Sequence, residues 1–131
     1  MPTPETLAKA AIRQALARSG KCLIFNNPVG FDELRQIRFG LSVGSSDPIG
    51  VCSPNGRFFA VEVKSARGSS TPEQRAFLYA INKAGGYGCI ARTPEQALEH
   101  LEKATAGVEA PAVRNPSNIP ATRKQINNRT K

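Results

Sequence analysis

Apolar residues recur at helical spacing from 4 to 18, where Leu7, Ala8, Ala11, Ile12, Ala15 and Leu16 form one face. Thr3 stands at the cap position, Pro4 suits the first helical position, and Ser19-Gly20 stops the helix. CLIF (22–25) then reads as a short buried strand, broken by Asn26-Asn27-Pro28. From 28 to 46 the chain is Gly-rich, carries Arg35 and Arg38, and reads mainly as loop. PIGVC (48–52) and RFFAVEVK (57–64) are two strands around SPNG, with Pro54 and Gly56 at the second and fourth positions, as in a type I turn. Thr71-Pro72-Glu73 opens a helix running to about Lys83. Gly85-Gly86 ends it, YGCIA (87–91) is another buried strand, and Thr93-Pro94-Glu95 opens a last helix to about Ala104. The order αβββαβα predicts an α/β fold, a small mixed sheet flanked by helices.

Composition narrows the class. A chain of 131 residues has room for one domain, and 40% hydrophobic with 21% charged residues is ordinary for a globular protein. Apolar runs are only a few residues long, so nothing spans a bilayer, and MPTPETLAKAAIRQ lacks the pattern of a signal peptide. Cys22, Cys52 and Cys89 read as reduced core residues of a cytoplasmic protein rather than as a disulfide or metal site. The only histidine, His100, falls on an expected surface helix, which argues against His-dependent triads and His-rich metal sites. Chemistry must come from carboxylates, lysine and amides. The net charge of +8 favours a polyanionic partner. From Thr105 the chain becomes Pro- and Asn-rich and basic, so residues 1–104 are expected to form the domain and 105–131 a disordered tail.

The most informative stretch is FFAVEVKSARGSST (58–71), read with Asp47 upstream. Glu62 and Lys64 lie two apart at the end of an apolar strand and so project from one face. A strand buried on both sides tolerates a carboxylate beside an ammonium only if something compensates them. A divalent metal and a phosphodiester would compensate both. If SPNG is a four-residue loop, Cys52 pairs with Arg57 and Asp47 lies opposite Glu62, so Asp47, Glu62 and Lys64 converge. A three-residue loop with a bulge at Gly56 would separate them. Each residue also has a plainer reading: Asp47 as a turn residue before Pro48, Glu62 and Lys64 as a surface ion pair.

These residues resemble a known family, the virus-type replication-repair nuclease (VRR-NUC) domain of the PD-(D/E)xK superfamily. The resemblance runs through Glu5, Asn26-Asn27, GSSDPIG (44–50), NGRFFAVEVK (55–64), TPEQRAFL (71–78) and AGGYGCIAR (84–92), and covers roughly residues 5–103. It implies a restriction-endonuclease-like fold. By resemblance, Asp47 and Glu62 are the metal-binding carboxylates, the Val63 carbonyl is a further ligand, and Glu5 completes the metal site, often through water. Lys64 resembles the catalytic lysine that orients or activates the attacking water, and Gln74 the glutamine that helps to position lysine, water or phosphate. Two departures stand out: Ser46 where the family often has Pro, and a loop SARGSS without the usual apolar or Pro character.

The expected activity is therefore Mg²⁺- or Mn²⁺-dependent endonucleolytic cleavage of DNA, with no organic cofactor. Small stand-alone members are typically phage-encoded, which implies a homodimer acting on branched or structured DNA such as a Holliday junction, in phage replication, recombination or repair. Arg35, Arg38 and Arg67 are candidates for holding flanking phosphates. With no helix-turn-helix or zinc finger in the chain, strict sequence specificity is not expected. A non-catalytic nucleic-acid-binding module is the alternative from another class, and a nickase or end-trimming nuclease acting on simple DNA is a third.

Overall fold

The computed structural model describes residues 1–113. Its elements are α1 (Pro4–Arg18), β1 (Cys22–Phe25), β2 (Gly30–Asp32), β3 (Ile37–Phe39), β4 (Ile49–Cys52), β5 (Phe58–Val63), α2 (Pro72–Lys83), β6 (Tyr87–Ala91) and α3 (Pro94–Thr105). All three helices begin alike. Thr3, Thr71 and Thr93 each accept a hydrogen bond from the backbone N–H three residues on, with proline in the first turn.

β1, β4, β5 and β6 lie in that order in one mixed sheet. β1–β4 and β4–β5 are antiparallel; β5–β6 is parallel, and α2 makes the crossover that a parallel pair requires. One sheet face carries the core. Phe59, Val61 and Val63 of β5 and Tyr87, Cys89 and Ala91 of β6 share a cluster with Ile12 and Leu16 of α1 and with Ala97, Leu101 and Ala104 of α3. The opposite face is covered by α2 where Leu78 closes on Gly88.

Three expectations need correction. CLIF is not buried: β1 is an edge strand whose Cys22 and Ile24 pack toward the core, while Leu23 and Phe25 are 63% and 50% exposed. The stretch 28–46 is not simply loop, because β2 and β3 form an antiparallel hairpin. Asp32 Oδ1 accepts from the Leu34 and Arg35 N–H groups, and Gln36 takes the left-handed conformation (φ 56°) usually left to Gly or Asn. The element order is thus αβββββαβα. The β4–β5 connection has four residues, but it closes by Gly56 N–H donating to the Cys52 carbonyl (2.9 Å), a wider turn than type I. The Ser53 N–H is drawn away to Lys21 O, extending the β1–β4 ladder.

His100 also differs from a surface histidine. Its Nδ1 lies 2.8 Å from Tyr87 Oη, it is half-buried, and burial lowers its pKa. Of the expected tail, Thr105 completes α3, and Arg57 and Asn82 hold the Val108 and Pro111 carbonyls. Residues 114–131 lie outside the described residues. All three cysteines are free. Among the described residues no helix is long and apolar enough to cross a membrane.

Candidate active site

Register decides whether the carboxylates meet. Ile49↔Ala60, Gly50↔Phe59 and Val51↔Phe58 set the β4–β5 pairing, and Cys52 N–H donates to Arg57 O at 2.8 Å. The same register continues outward as far as Val61 N–H to Pro48 O (3.2 Å), and beyond it Asp47 and Glu62 meet in an isolated bridge of parallel type. The four-residue loop therefore holds, and the register is not shifted by one. Alternation along β5 puts Glu62 and Lys64 on one face and turns the Val63 carbonyl to the side of the strand that faces Pro48 and Asp47.

The pair on β5 is deeply set. Glu62 is 7% exposed and Lys64 6%, and Lys64 Nζ stands 3.5 Å from Glu62 Oε2. Burial is the main force on the Glu62 carboxyl and pushes its pKa up to about 7. Lys64 pulls it back by charge and hydrogen bonding, Glu5 adds like-charge repulsion, and Lys9 opposes that. The surface ion-pair reading is therefore wrong for these two residues.

Asp47 is held from two sides. Oδ1 accepts the Asn27 N–H at 2.9 Å, and Oδ2 lies 3.7 Å from Lys9 Nζ. Asn27, buried at 6% exposure, organises the whole entry to the site. Its Nδ2 donates to Ser45 Oγ and Ser46 O, both at 2.8 Å, and its Oδ1 accepts the Leu41 N–H at 3.0 Å. One amide thus ties together the two ends of the β2–β3 hairpin and the approach to Asp47. Ser46 is fully buried, and its Oγ has no hydrogen-bond partner among the described residues.

The other predicted residues have separate settings. Glu5, in the first turn of α1, acts on Glu62 through charge and lines a shallow groove with Thr3, Thr6, Lys9 and Ser65. Gln74 closes the capping box of α2: its Oε1 accepts the Thr71 N–H at 2.8 Å. That role takes up the amide oxygen and leaves the NH₂ group to donate. Arg35 pairs with Asp32 at 2.9 Å in the hairpin turn, Arg38 lies exposed on β3 opposite Phe31, and Arg67 is exposed in the loop after Lys64. That loop is held by arginine rather than by apolar residues. Arg92 donates to Ser65 O (2.5 Å) and Gly68 O (2.6 Å), and Arg75 to Ser70 O (2.8 Å).

Sequence reasoning missed Lys9 and the role of Asn27. A signal for Lys9 existed, since it lies four residues after Glu5 and so shares its helix face. Asn27 gave none beyond its place in a breaker, because its partners come from 41–47.

Among the described residues, no group of three or more His, Cys, Asp or Glu side chains is gathered tightly enough to hold a metal ion. Mg²⁺, however, commonly takes one or two carboxylates and keeps several waters. Asp47, Glu62 and the Val63 carbonyl are hard oxygen donors of that kind, and a buried carboxyl raised to about 7 is one that a cation would stabilise as the anion. The donor set therefore fits a divalent ion with an incomplete protein shell. No protein-family model matches the chain, and no curated protein matches it.

Proposed function

We propose that this protein is a Mg²⁺- or Mn²⁺-dependent DNA endonuclease of the VRR-NUC type, with a restriction-endonuclease-like fold. One observation carries the reading: the β4–β5 register brings Asp47 beside Glu62, and Glu62 shares its strand face with a buried Lys64. A structural role gives no reason to bury a carboxylate and an ammonium at the open end of a strand, since apolar residues there would be as stable or more so.

In this reading Asp47, Glu62 and the Val63 carbonyl hold the metal, with Glu5 reaching it through water. When bound, that ion supplies charge stabilisation at the phosphoryl oxygen and a more acidic water. The Lys64 ammonium lies close enough to Glu62 to serve the same phosphate, orienting the attacking water or countering charge as it develops. The Gln74 NH₂ group is left to donate to water or phosphate from the start of α2. Arg35, Arg38 and Arg67 are exposed cations for flanking phosphates.

The proposed substrate is branched or structured DNA such as a Holliday junction, in phage replication, recombination or repair, and the proposed assembly is a homodimer. Leu23 and Phe25 on β1 and Phe31, Ile37 and Phe39 on the hairpin are exposed apolar side chains that a second copy could cover. A non-catalytic DNA-binding module is the competing reading. It is favoured by the lack, among the described residues, of a third ligating side chain beside the two carboxylates.

The test is cleavage of a labelled four-way junction beside a matched linear duplex in Mg²⁺, Mn²⁺ or EDTA, for the parent and Glu62→Ala. Metal-dependent cutting of the junction, lost in the variant by about a thousandfold, is the expected result. Cutting of both substrates, or trimming from ends alone, keeps the nuclease and removes the junction preference. Tight binding without cutting under any condition makes the protein a binding module.

A further inference from the structure

Four charged groups of the site are paired one to one, with Glu5 beside them. Lys64 holds Glu62 Oε2 at 3.5 Å, and Lys9 holds Asp47 Oδ2 at 3.7 Å. The pairs differ in kind. Lys64 extends from β5 and is 7% exposed at its side chain; Lys9 reaches over from the second turn of α1 and is 32% exposed. Asp47 Oδ1 is already committed to a backbone N–H, so Oδ2 is the oxygen left for an incoming cation. Lys9 forms an ion pair with that oxygen.

Its stem also lines the groove formed with Thr3, Glu5, Thr6 and Ser65, which opens beside the residue after Lys64. A flexible ammonium at the mouth of such a groove has two places to go: inward to Asp47, or outward to whatever anion lies there. Both cannot be occupied at once.

We propose that Lys9 is a second working cation of this site, an exchangeable one: it neutralises Asp47 Oδ2 until a divalent ion takes that oxygen, and then turns into the groove to hold a phosphate of the DNA strand. The proposal rests on the nuclease reading above and names a role that Glu5 and Lys64 do not fill. It also gives the apo site a reason to stay assembled, since the two ammonium groups balance Asp47 and Glu62.

Exchange has a signature of opposite signs. Removing Lys9 takes away a competitor for the metal and a partner for the phosphate, so Lys9→Met binds metal more tightly and DNA more weakly. The experiment measures Mn²⁺ alone by electron paramagnetic resonance, and a fluorescent DNA junction by anisotropy in Ca²⁺, for parent, Lys9→Met and Lys9→Arg. Lys9→Met is expected to bind Mn²⁺ at least about threefold more tightly and the junction about threefold to tenfold more weakly. Lys9→Arg keeps the cation and should recover the DNA affinity. Lys9 is one-third exposed, so the variants are expected to retain the fold, and thermal melting checks that they do.

Equal Mn²⁺ affinity in parent and Lys9→Met overturns the proposal, and so does a fall in both affinities, which is what a merely structural ion pair would give. If the parent itself binds no Mn²⁺ and cuts no DNA, the nuclease reading fails first. A parent that binds metal and cuts, beside a Lys9→Met variant unchanged in both affinities, sinks the Lys9 role alone.

Discussion

Glu62 is the residue on which most depends, and its environment makes a prediction about stability as well as chemistry. Burial, partly offset by Lys64, raises its carboxyl from an ordinary 4.5 to about 7. A group whose pKa is raised on folding contributes stability below its unfolded value and loses it as pH climbs through the folded one. The metal-free protein should therefore weaken between pH 5 and pH 8 as the buried carboxyl is forced to ionise. Removing Glu62 alone would leave Lys64 buried without its counter-charge, so the informative comparison is the double variant Glu62→Gln/Lys64→Met. Urea unfolding of both proteins at pH 5 and pH 8, without divalent ions, should show the parent losing on the order of 2 kcal/mol relative to the double variant. Parallel pH profiles would mean that Glu62 already ionises with an ordinary pKa.

At the scale of elements, what delivers Asp47 is the segment running from the β2–β3 hairpin into β4. Gly44 in that segment has φ +89°, and a Cβ added there would sit 2.6 Å from the Glu73 carbonyl in the first turn of α2. Gly44→Ala must therefore strain the backbone and push on α2 together. It should cost about 1–3 kcal/mol, read as a fall in the urea midpoint, and lower cleavage through a displaced Asp47. A variant as stable and active as the parent would show that the segment does not hold Asp47 in place. This part of the fold was also the least legible in the sequence. The helices announced themselves through Thr-Pro starts, and β4–β5 through two apolar runs around SPNG, though the loop left two registers open and the structure takes the one that joins Asp47 to Glu62. The hairpin did not, because its strands have three residues each and its turn uses Gln36 in place of Gly or Asn. CLIF misled for a different reason: an apolar run looks alike in a central strand and in an edge strand with one face uncovered. Asn27 was hidden because its partner Asp47 lies 20 positions away, and the Glu5 spacing marked the helix face of Lys9 but not its partner, 38 positions away at Asp47.

For the molecule as a whole, the +8 net charge is distributed in a way that separates holding DNA from cutting it. Residues 114–131 contain five basic side chains, Arg114, Arg123, Lys124, Arg129 and Lys131, and no acidic ones. Among the described residues the last element ends at Thr105, and the contacts of Arg57 and Asn82 reach on to Val108 and Pro111. If the core and the site need only the described residues, cutting the chain after Val113 should leave both intact while removing five cations. Each phosphate contact contributes about −0.9 to the slope of log affinity against log salt on duplex DNA. The shortened protein should show a slope shallower by about 2 to 4 and weaker binding at low salt, with the junction-to-duplex preference unchanged, because phosphate contacts carry no structural selectivity of their own. An unchanged slope would place the phosphate contacts on the described body, with Arg35, Arg38, Arg67 and Lys9 the cations to test next. A slope reduced together with a lost junction preference would instead give the C-terminal cations a part in reading the branch.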